Sequence, residues 1–208
     1  MTTTASTIST YDKHADYFAQ HFEQMLDLGK LDEFLSYLPK GSSILDAGCG
    51  SARDAAYFIK HGYAVLGIDA SRGMLTKAQT LHPEVPTQLM NLTKIKLPDN
   101  QFDGIWAKAS LLHISHTEIN NVFDQFGRVL KTNGLLFIQT KAGEGIETKS
   151  VPNDEESIRE FILFTQAEIQ KFLEKAGFEI QKSCVFKSTV PSVKFGTQNW
   201  MDVFAIKK

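Results

Sequence analysis

Cysteine is scarce in this chain of 208 residues: there are two, Cys49 and Cys184. They are too few and too far apart for a disulfide framework or a zinc site, which points to a reducing, cytoplasmic setting. An excess of charge of either sign is lacking too. The 22 Lys and Arg residues nearly balance 24 Asp and Glu, for a formal net charge of -2. Such a balance gives no electrostatic reason to expect nucleic acid or an anionic membrane as partner. No apolar run approaches the roughly 18 residues of a membrane span. The start, Met1-Thr-Thr-Thr-Ala-Ser6, has no basic stretch followed by an apolar one. It reads as a frayed tail and not as a signal peptide. No internal repeat and no low-complexity segment is present. What remains is 42% apolar and 22% charged, as in a globular chain with a real core. The length suits one domain.

The chain opens with helical spacing. From Ser9 onward, Tyr17, Phe18, Phe22, Met25 and Leu26 recur at steps of three and four. A second helix follows Gly29 and stops at Pro39. These helices precede the first strand. They either cover the sheet or cap a ligand, with Tyr11 or Tyr17 reaching in. Then strand-like and helix-like stretches alternate. Strands are expected at Ser43–Ala47, Tyr63–Asp69, Thr87–Met90, Phe102–Ala107 and Leu135–Lys141, with helices between them. Capping boxes are expected at Ser51/Asp54, Ser115/Glu118 and Thr165/Glu168. Five βα alternations with nearly all-apolar strands argue for a parallel sheet covered on both faces. The residues from Gly143 to Asp154 are polar and read as a mobile loop over the site. Two late strands, Phe178–Phe186 and Trp200–Ile206, flank a loop at 187–198 and carry no helical pattern between them. They read as antiparallel. The fold expected is therefore a Rossmann-like, doubly wound α/β sheet of seven strands, mostly parallel, with an antiparallel edge strand. The whole chain, 1–208, is expected to be one domain. Its parts are a helical cap at 1–40, a cofactor-binding core at 41–142, and a lid loop with the C-terminal sheet edge at 143–208.

The chemistry centres on Ser43 to Asp54. An apolar run ends in Asp46, two glycines follow at Gly48 and Gly50, and a helix starts. In an open parallel sheet this layout holds a nucleotide-like ligand. Asp69 lies 21 positions beyond Gly48, at the end of the second strand, where a carboxylate can accept hydrogen bonds from both ribose hydroxyls. A dinucleotide loop needs a third glycine, and that position is Arg53. Asp46 would repel a pyrophosphate but would attract an ammonium. S-adenosylmethionine carries an ammonium, a sulfonium and no phosphate, so it suits this pattern better than a nicotinamide dinucleotide.

The run Ile44-Leu-Asp-Ala-Gly-Cys-Gly50 resembles motif I of the class I S-adenosylmethionine-dependent methyltransferases, and Gly67-Ile-Asp-Ala-Ser71 resembles their second motif. Met90-Asn91-Leu92 with Leu97-Pro98 and Phe102-Asp103 is similar to the third. Leu111-Leu-His113-Ile, Leu130-Lys-Thr-Asn-Gly134 and Ala176-Gly-Phe178 are similar to later landmarks, so the likeness covers residues 40 to 206. Within the family the chain most resembles small stand-alone enzymes of the tellurite-resistance-like type. The resemblance implies that Gly48 and Gly50 pass under the methionyl group and ribose. The backbone at Ala47, Gly48 and Ala107 would hold the ammonium, supported by Asp46. Arg53 would meet the methionyl carboxylate and Asp69 the ribose diol. Ala70 and Met74 would flank the adenine, and Asn91 and the Leu92 amide would read its edge. The third glycine common in motif I is Ala52 here.

Methyl transfer asks the protein to align an acceptor and, where needed, to take its proton. His113 stands just after the fourth strand and is the candidate base, although it equally suits a structural role. Tyr11, Tyr17 and Lys141 are candidate substrate contacts, with Lys108, Trp106 and Trp200 weaker ones. His116 has no third ligand near it in sequence, so no metal is expected. After the fourth strand the chain reads Ala107-Lys-Ala-Ser110 and not the Asn/Asp-Pro-Pro-aromatic motif of enzymes that methylate amino groups of DNA bases. A small-molecule acceptor is expected, and oligomeric state is left open. The alternatives are a non-catalytic nucleoside-binding protein and an NAD-dependent oxidoreductase.

Overall fold

The computed structural model describes residues 3–187 and 199–208. Three helices come first: α1 (Thr3–Lys13), α2 (Ala15–Glu23) and α3 (Leu28–Ser36). The alternating unit follows as β1 (Ser43–Ala47), α4 (Arg53–Lys60), β2 (Ala64–Asp69), α5 (Arg72–Leu81), β3 (Thr87–Leu89), β4 (Phe102–Lys108), α6 (Ile119–Val129) and β5 (Leu130–Lys141). A 3-10 turn, Leu111–His113, lies between β4 and α6. The chain ends with β6 (Ile146–Val151), β7 (Asp154–Ile162), α7 (Gln166–Lys175), β8 (Phe178–Lys187) and β9 (Asn199–Lys207).

Seven strands form one sheet in the order β3-β2-β1-β4-β5-β9-β8. The pairs from β3 to β5 are parallel, and β9 runs antiparallel between β5 and β8. The strand order reverses between β1 and β4, which opens a crevice beyond their carboxyl ends. The middle strands are apolar on both sides, and their alternation feeds two layers. Leu45, Ile105, Leu136 and Ile138 pack beneath α6 and α7. Ile44, Trp106, Phe137 and Phe204 pack on the other side with Phe34 of α3 and Phe58 of α4. Trp106 is fully buried and stacks on Phe137 with ring centroids 4.2 Å apart. Each large side chain buried this way contributes on the order of 2–3 kcal/mol. α6 shows the matching helical stripe, with Ile119, Val122, Phe123, Phe126 and Val129 all buried. A third, small cluster joins Ala15, Phe18 and Ala19 of α2 to Met74 of α5 and Val151 of β6. It fastens the N-terminal helices over the crevice. Among the described residues no helix is long and apolar enough to cross a membrane.

The structure departs from the sequence expectation at several places. α1 begins at Thr3, so residues 3–6 are helical where a frayed tail was expected. The Ser51/Asp54 capping box does not form. Ala52, with φ 66°, is the N-cap of α4, Ser51 donates to Glu23, and Asp54 is drawn to Arg53 and Trp106. At α6 the Ser115 hydroxyl bonds the Glu118 carboxylate, and no N–H is capped by a side chain. The Thr165/Glu168 box at α7 is complete. β5 starts at Leu130, before Leu135, because Leu130 already pairs with Phe102 and Asn133 takes a left-handed φ of 63°. The expected lid loop at 143–154 is largely strand. β6 pairs with β7 in a separate two-stranded sheet, with Lys149 opposite Arg159 and Glu147 opposite Phe161. Beyond Lys187, the loop expected at 187–198 lies outside the described residues.

Candidate active site

β1 delivers the chain to the crevice at Ala47, and the two glycines turn it. Gly48 has φ 85°, and the N–H groups of Gly48 and Cys49 both donate to the Ile68 carbonyl, at 2.8 and 3.0 Å. A Cβ on Gly48 would stand 2.3 Å from the Ser110 Cβ, so only glycine lets the loop pass the end of β4 this closely. Gly50, with φ 55°, donates its N–H to Asp69 Oδ2 at 2.9 Å. Asp69 Oδ1 accepts from the Ser71 N–H at 2.8 Å. The carboxylate at the end of β2 is thus anchored by one N–H per oxygen. Each oxygen keeps further lone pairs for a ligand. Burial holds its carboxyl above the ordinary range, against the pull of the Ser71 and Gly50 N–H groups.

Asp46 sits one strand over, beside Gly67 and Trp106 in the sheet register. It is 3% exposed, and its Oδ2 is buried with no hydrogen-bond partner. Burial first, and Asp54 second, hold this carboxyl well above the ordinary value. Arg53 lies near it but is committed elsewhere. Its Nε donates to Asp54 Oδ1 at 2.7 Å, and its Nη1 donates to the Phe22 carbonyl of α2. Asp54 also accepts from Trp106 Nε1 at 3.0 Å and has Lys108 Nζ at 3.7 Å.

The far wall comes from the N-terminal helices and the β6–β7 hairpin, which are stitched together. Thr10 Oγ1 donates to the Ile158 carbonyl at 2.9 Å, and Glu160 N–H donates to Thr7 Oγ1 at 3.1 Å. Asp12 Oδ1 accepts from Ser71 Oγ and from the Gly73 N–H, which docks α1 on the start of α5. Between these walls stands His113. Its Nδ1 lies 2.7 Å from the Glu160 carbonyl and its Nε2 lies 3.0 Å from the Tyr11 hydroxyl. A carbonyl only accepts, so Nδ1 carries the proton and Nε2 accepts from Tyr11. Burial lowers the His113 pKa to about 3, although the Glu160 carbonyl pulls upward. The imidazole is therefore neutral at ordinary pH.

A cavity of about 310 Å³ joins these parts. Of the residues singled out in the sequence, Asp46, Gly48, Gly50, Arg53, Asp69 and Ala70 line it, as do Met74, Asn91, Leu92, Tyr11, His113 and Lys141. Met74 is buried in the first turn of α5, which Ser71 caps. Asn91 Oδ1 is occupied by the Thr93 N–H and hydroxyl, both at 2.9 Å. Ala47 and Ala107 are fully buried in the core and do not line the cavity. Tyr17 does not line it either. It packs edge-on to Phe18 and stacks on His21, one turn further along α2, which does line the cavity. The sequence reading missed Arg159 and Phe161 of β7 and Lys149 of β6, all on the cavity wall. The signal was there: Ser157, Arg159 and Phe161 are buried alternate residues, a period of two. It is short and flanked by charge.

Comparison with known proteins gives consistent matches. Residues 45–138 match the family described as "Methyltransferase domain". The O-methyltransferase resE of Aspergillus sclerotiorum is 29% identical over 171 residues, covering 74% of this chain and 62% of that protein. This chain thus spans less than two thirds of that relative. A methyltransferase structure from Methanosarcina mazei, described as S-adenosylmethionine-dependent, superposes with a TM-score of 0.78 at 22% identity, covering 88% of this chain and 99% of that one. The 1,6-didemethyltoxoflavin-N1-methyltransferase of Burkholderia thailandensis, solved with bound 1,6-didemethyltoxoflavin and S-adenosylhomocysteine, superposes with a TM-score of 0.73 at 21% identity, covering 99% of this chain and 87% of that one. The glycine loop, the anchored acid at the end of β2 and these matches agree: residues 45–138 match a methyltransferase domain, and the chain has the fold of S-adenosylmethionine-dependent methyltransferases.

Proposed function

We propose that this chain moves a methyl group from S-adenosylmethionine to a small-molecule acceptor. The observation that carries the reading is Asp46. A buried carboxylate oxygen without a partner, on the wall of a cavity, is costly until a cation meets it. The methionyl ammonium of the donor is such a cation, and a pyrophosphate at this place would be repelled. Asp46, with the backbone at Gly48, holds that ammonium, and Arg53 faces the methionyl carboxylate. Gly48 and Gly50 let the backbone pass close beneath. Asp69, anchored by Gly50 and Ser71, takes the ribose hydroxyls. Ala70 and Met74 flank the adenine, and Asn91 and the Leu92 amide meet its edge. The division of labour follows the chain as one domain: residues 1–40 cap the site, 41–142 bind the donor, and 143–208 supply the hairpin and the sheet edge. The two free thiols, Cys49 and Cys184, support a cytoplasmic location.

Bound there, the donor supplies a methyl group already activated by its sulfonium. The protein has to exclude water, align the acceptor and receive its proton. His113, kept neutral by burial, donates from Nδ1 to the Glu160 carbonyl and accepts at Nε2 from the Tyr11 hydroxyl, so it orients Tyr11 at the acceptor end and does not itself hold the proton. Lys141, buried at the end of β5, faces the acceptor. Relatives with O and N acceptors in their names share the fold, so the acceptor atom is left open.

Calorimetry with S-adenosylhomocysteine tests the reading. The intact chain is expected to bind it, and Asp69→Asn to bind about 10–100-fold more weakly, the worth of one or two charge-assisted hydrogen bonds. Absence of binding to the intact chain, or undiminished binding by the variant, would end the reading. Binding of NADH in its place would revive the oxidoreductase.

A further inference from the structure

The cavity is electrically divided. The acids on its wall are Asp46, Asp54 and Asp69, all at the glycine-loop end. The hairpin end carries Lys141, Lys149 and Arg159, and no carboxylate of the hairpin lines it. Arg159 is 4% exposed, has no ion pair among the described residues, and leaves its Nε buried without a partner. Its guanidinium lies 4.4 Å from the Phe18 ring centre and 5.2 Å from that of Phe161. Those rings cover its faces, and the Tyr11 hydroxyl meets part of its N–H edge, which leaves Nε unmet. Lys141 is 3% exposed, with Nζ 4.0 Å from the centre of the Phe161 ring and 2.6 Å from Glu147 Oε2. Lys149 sits directly opposite Arg159 in the hairpin. Burial lowers the pKa of Lys141 and of Lys149, and Arg159 lowers both further. Two lysines and an arginine gathered around Phe161 with Glu147 as their close acid are an expensive arrangement unless an anion completes it. A planar guanidinium beside ammonium groups is the donor set that grips a carboxylate or a phosphate. Ile8, Leu112 and Trp200 on the neighbouring wall give such an anion an apolar surround.

We propose that the hairpin end of the cavity is an anion subsite, and that the methyl acceptor carries a carboxylate or phosphate on a compact apolar body. Arg159 is its main anchor, with Lys141 and Lys149 beside it. Tyr11, oriented by His113, then faces the acceptor's nucleophilic atom. Naming this anion as the acceptor's rests on the methyl-transfer reading above; anion binding itself does not.

The test is calorimetric, on the protein saturated with S-adenosylhomocysteine. Benzoate and phenyl phosphate are titrated in turn, with benzamide as the neutral counterpart of benzoate. At least one anion is expected to bind, with benzamide about tenfold weaker or more. Arg159→Gln is expected to weaken the anion about tenfold and leave S-adenosylhomocysteine affinity unchanged. Glu147→Gln, which removes the acid beside Lys141, is expected to tighten the anion, an effect that a merely structural cluster would not produce. The proposal is overturned if no anion binds or if benzamide binds as well as benzoate. It is equally overturned if Arg159→Gln lowers affinity for S-adenosylhomocysteine and not for the anion. Should Arg159→Gln fail to fold, Glu147→Gln and Lys141→Gln decide the matter by opposite shifts. Should S-adenosylhomocysteine not bind at all, the methyl-transfer reading fails, and the same titrations on the protein alone still decide whether the subsite exists.

Discussion

Replacing Asp46 by Asn should make the protein more stable and a worse binder at once. The side chain is buried, its Oδ2 has no partner, and Asp54 and Asp69 lie close enough to oppose its ionisation. An uncompensated buried polar group costs on the order of 1–3 kcal/mol. An amide of the same shape keeps part of that cost but drops the charge, so the ligand-free variant should gain about 1–2 kcal/mol. For a chain of this length each kcal/mol is worth roughly 2–4 °C in Tm, giving an increase of about 2–8 °C. The sign with pH follows from the raised folded-state pKa. Below about pH 4 Asp46 is protonated in both states and nothing separates the two proteins. As pH rises, the unfolded chain loses its proton first, and the folded wild type is penalised increasingly. The gain from Asn should therefore be larger at pH 7.5 than at pH 4. Affinity should move the other way. Loss of a charge-assisted contact to an ammonium is worth about 1.5–3 kcal/mol, or roughly 10–150-fold in Kd. Scanning calorimetry of the ligand-free proteins and titration with S-adenosylhomocysteine measure both. A variant less stable than wild type at pH 7.5, or one that binds equally well, would refute the account of Asp46 as a charge awaiting its partner.

Two further substitutions test the frame of the site. Gly48→Ala forces a Cβ to within 2.3 Å of the Ser110 Cβ at a φ of 85°, and should cost about 2–5 kcal/mol in urea unfolding. Adding Ser110→Gly removes the clash and should recover at least about 1 kcal/mol, so an unimproved double variant would contradict this packing. His113, with a folded pKa of about 3, refuses a proton that the unfolded chain accepts near pH 6.5. Stability should therefore fall as pH drops below about 6.5, and His113→Asn should lose less than wild type. The difference reaches roughly 2.7 kcal/mol by pH 4.5, and parallel profiles for the two proteins would show that His113 is not buried neutral.

The fold was legible where its determinants are close in sequence. β1 keeps its expected bounds of Ser43 to Ala47, and the Thr165/Glu168 box caps α7 as read. The failures have long-range causes. Asp54 would have capped α4, but Trp106, 52 residues on, offers a buried N–H that a local pattern cannot show. The stretch at 143–154 reads as loop because one face of a two-stranded hairpin stays in water, and Ile146, Glu155 and Glu156 are indeed exposed. Its inward face is apparent only from its pairing with 154–162.

What the sequence by itself determined is the glycine-loop end of the cavity. Asp46, Gly48, Gly50 and Asp69 fall within one βαβ unit, whose geometry is set by short connections and right-handed crossover, so spacing alone places them around one crevice. The hairpin end was decided by tertiary structure. The partners in the Tyr11–His113 contact are 102 residues apart, and those in the Thr10–Ile158 staple are 148 apart. Arg159 reaches the cavity only because α1 and β7 are stitched together over it. No local propensity encodes such a contact, since it depends on which distant surfaces the finished sheet brings together.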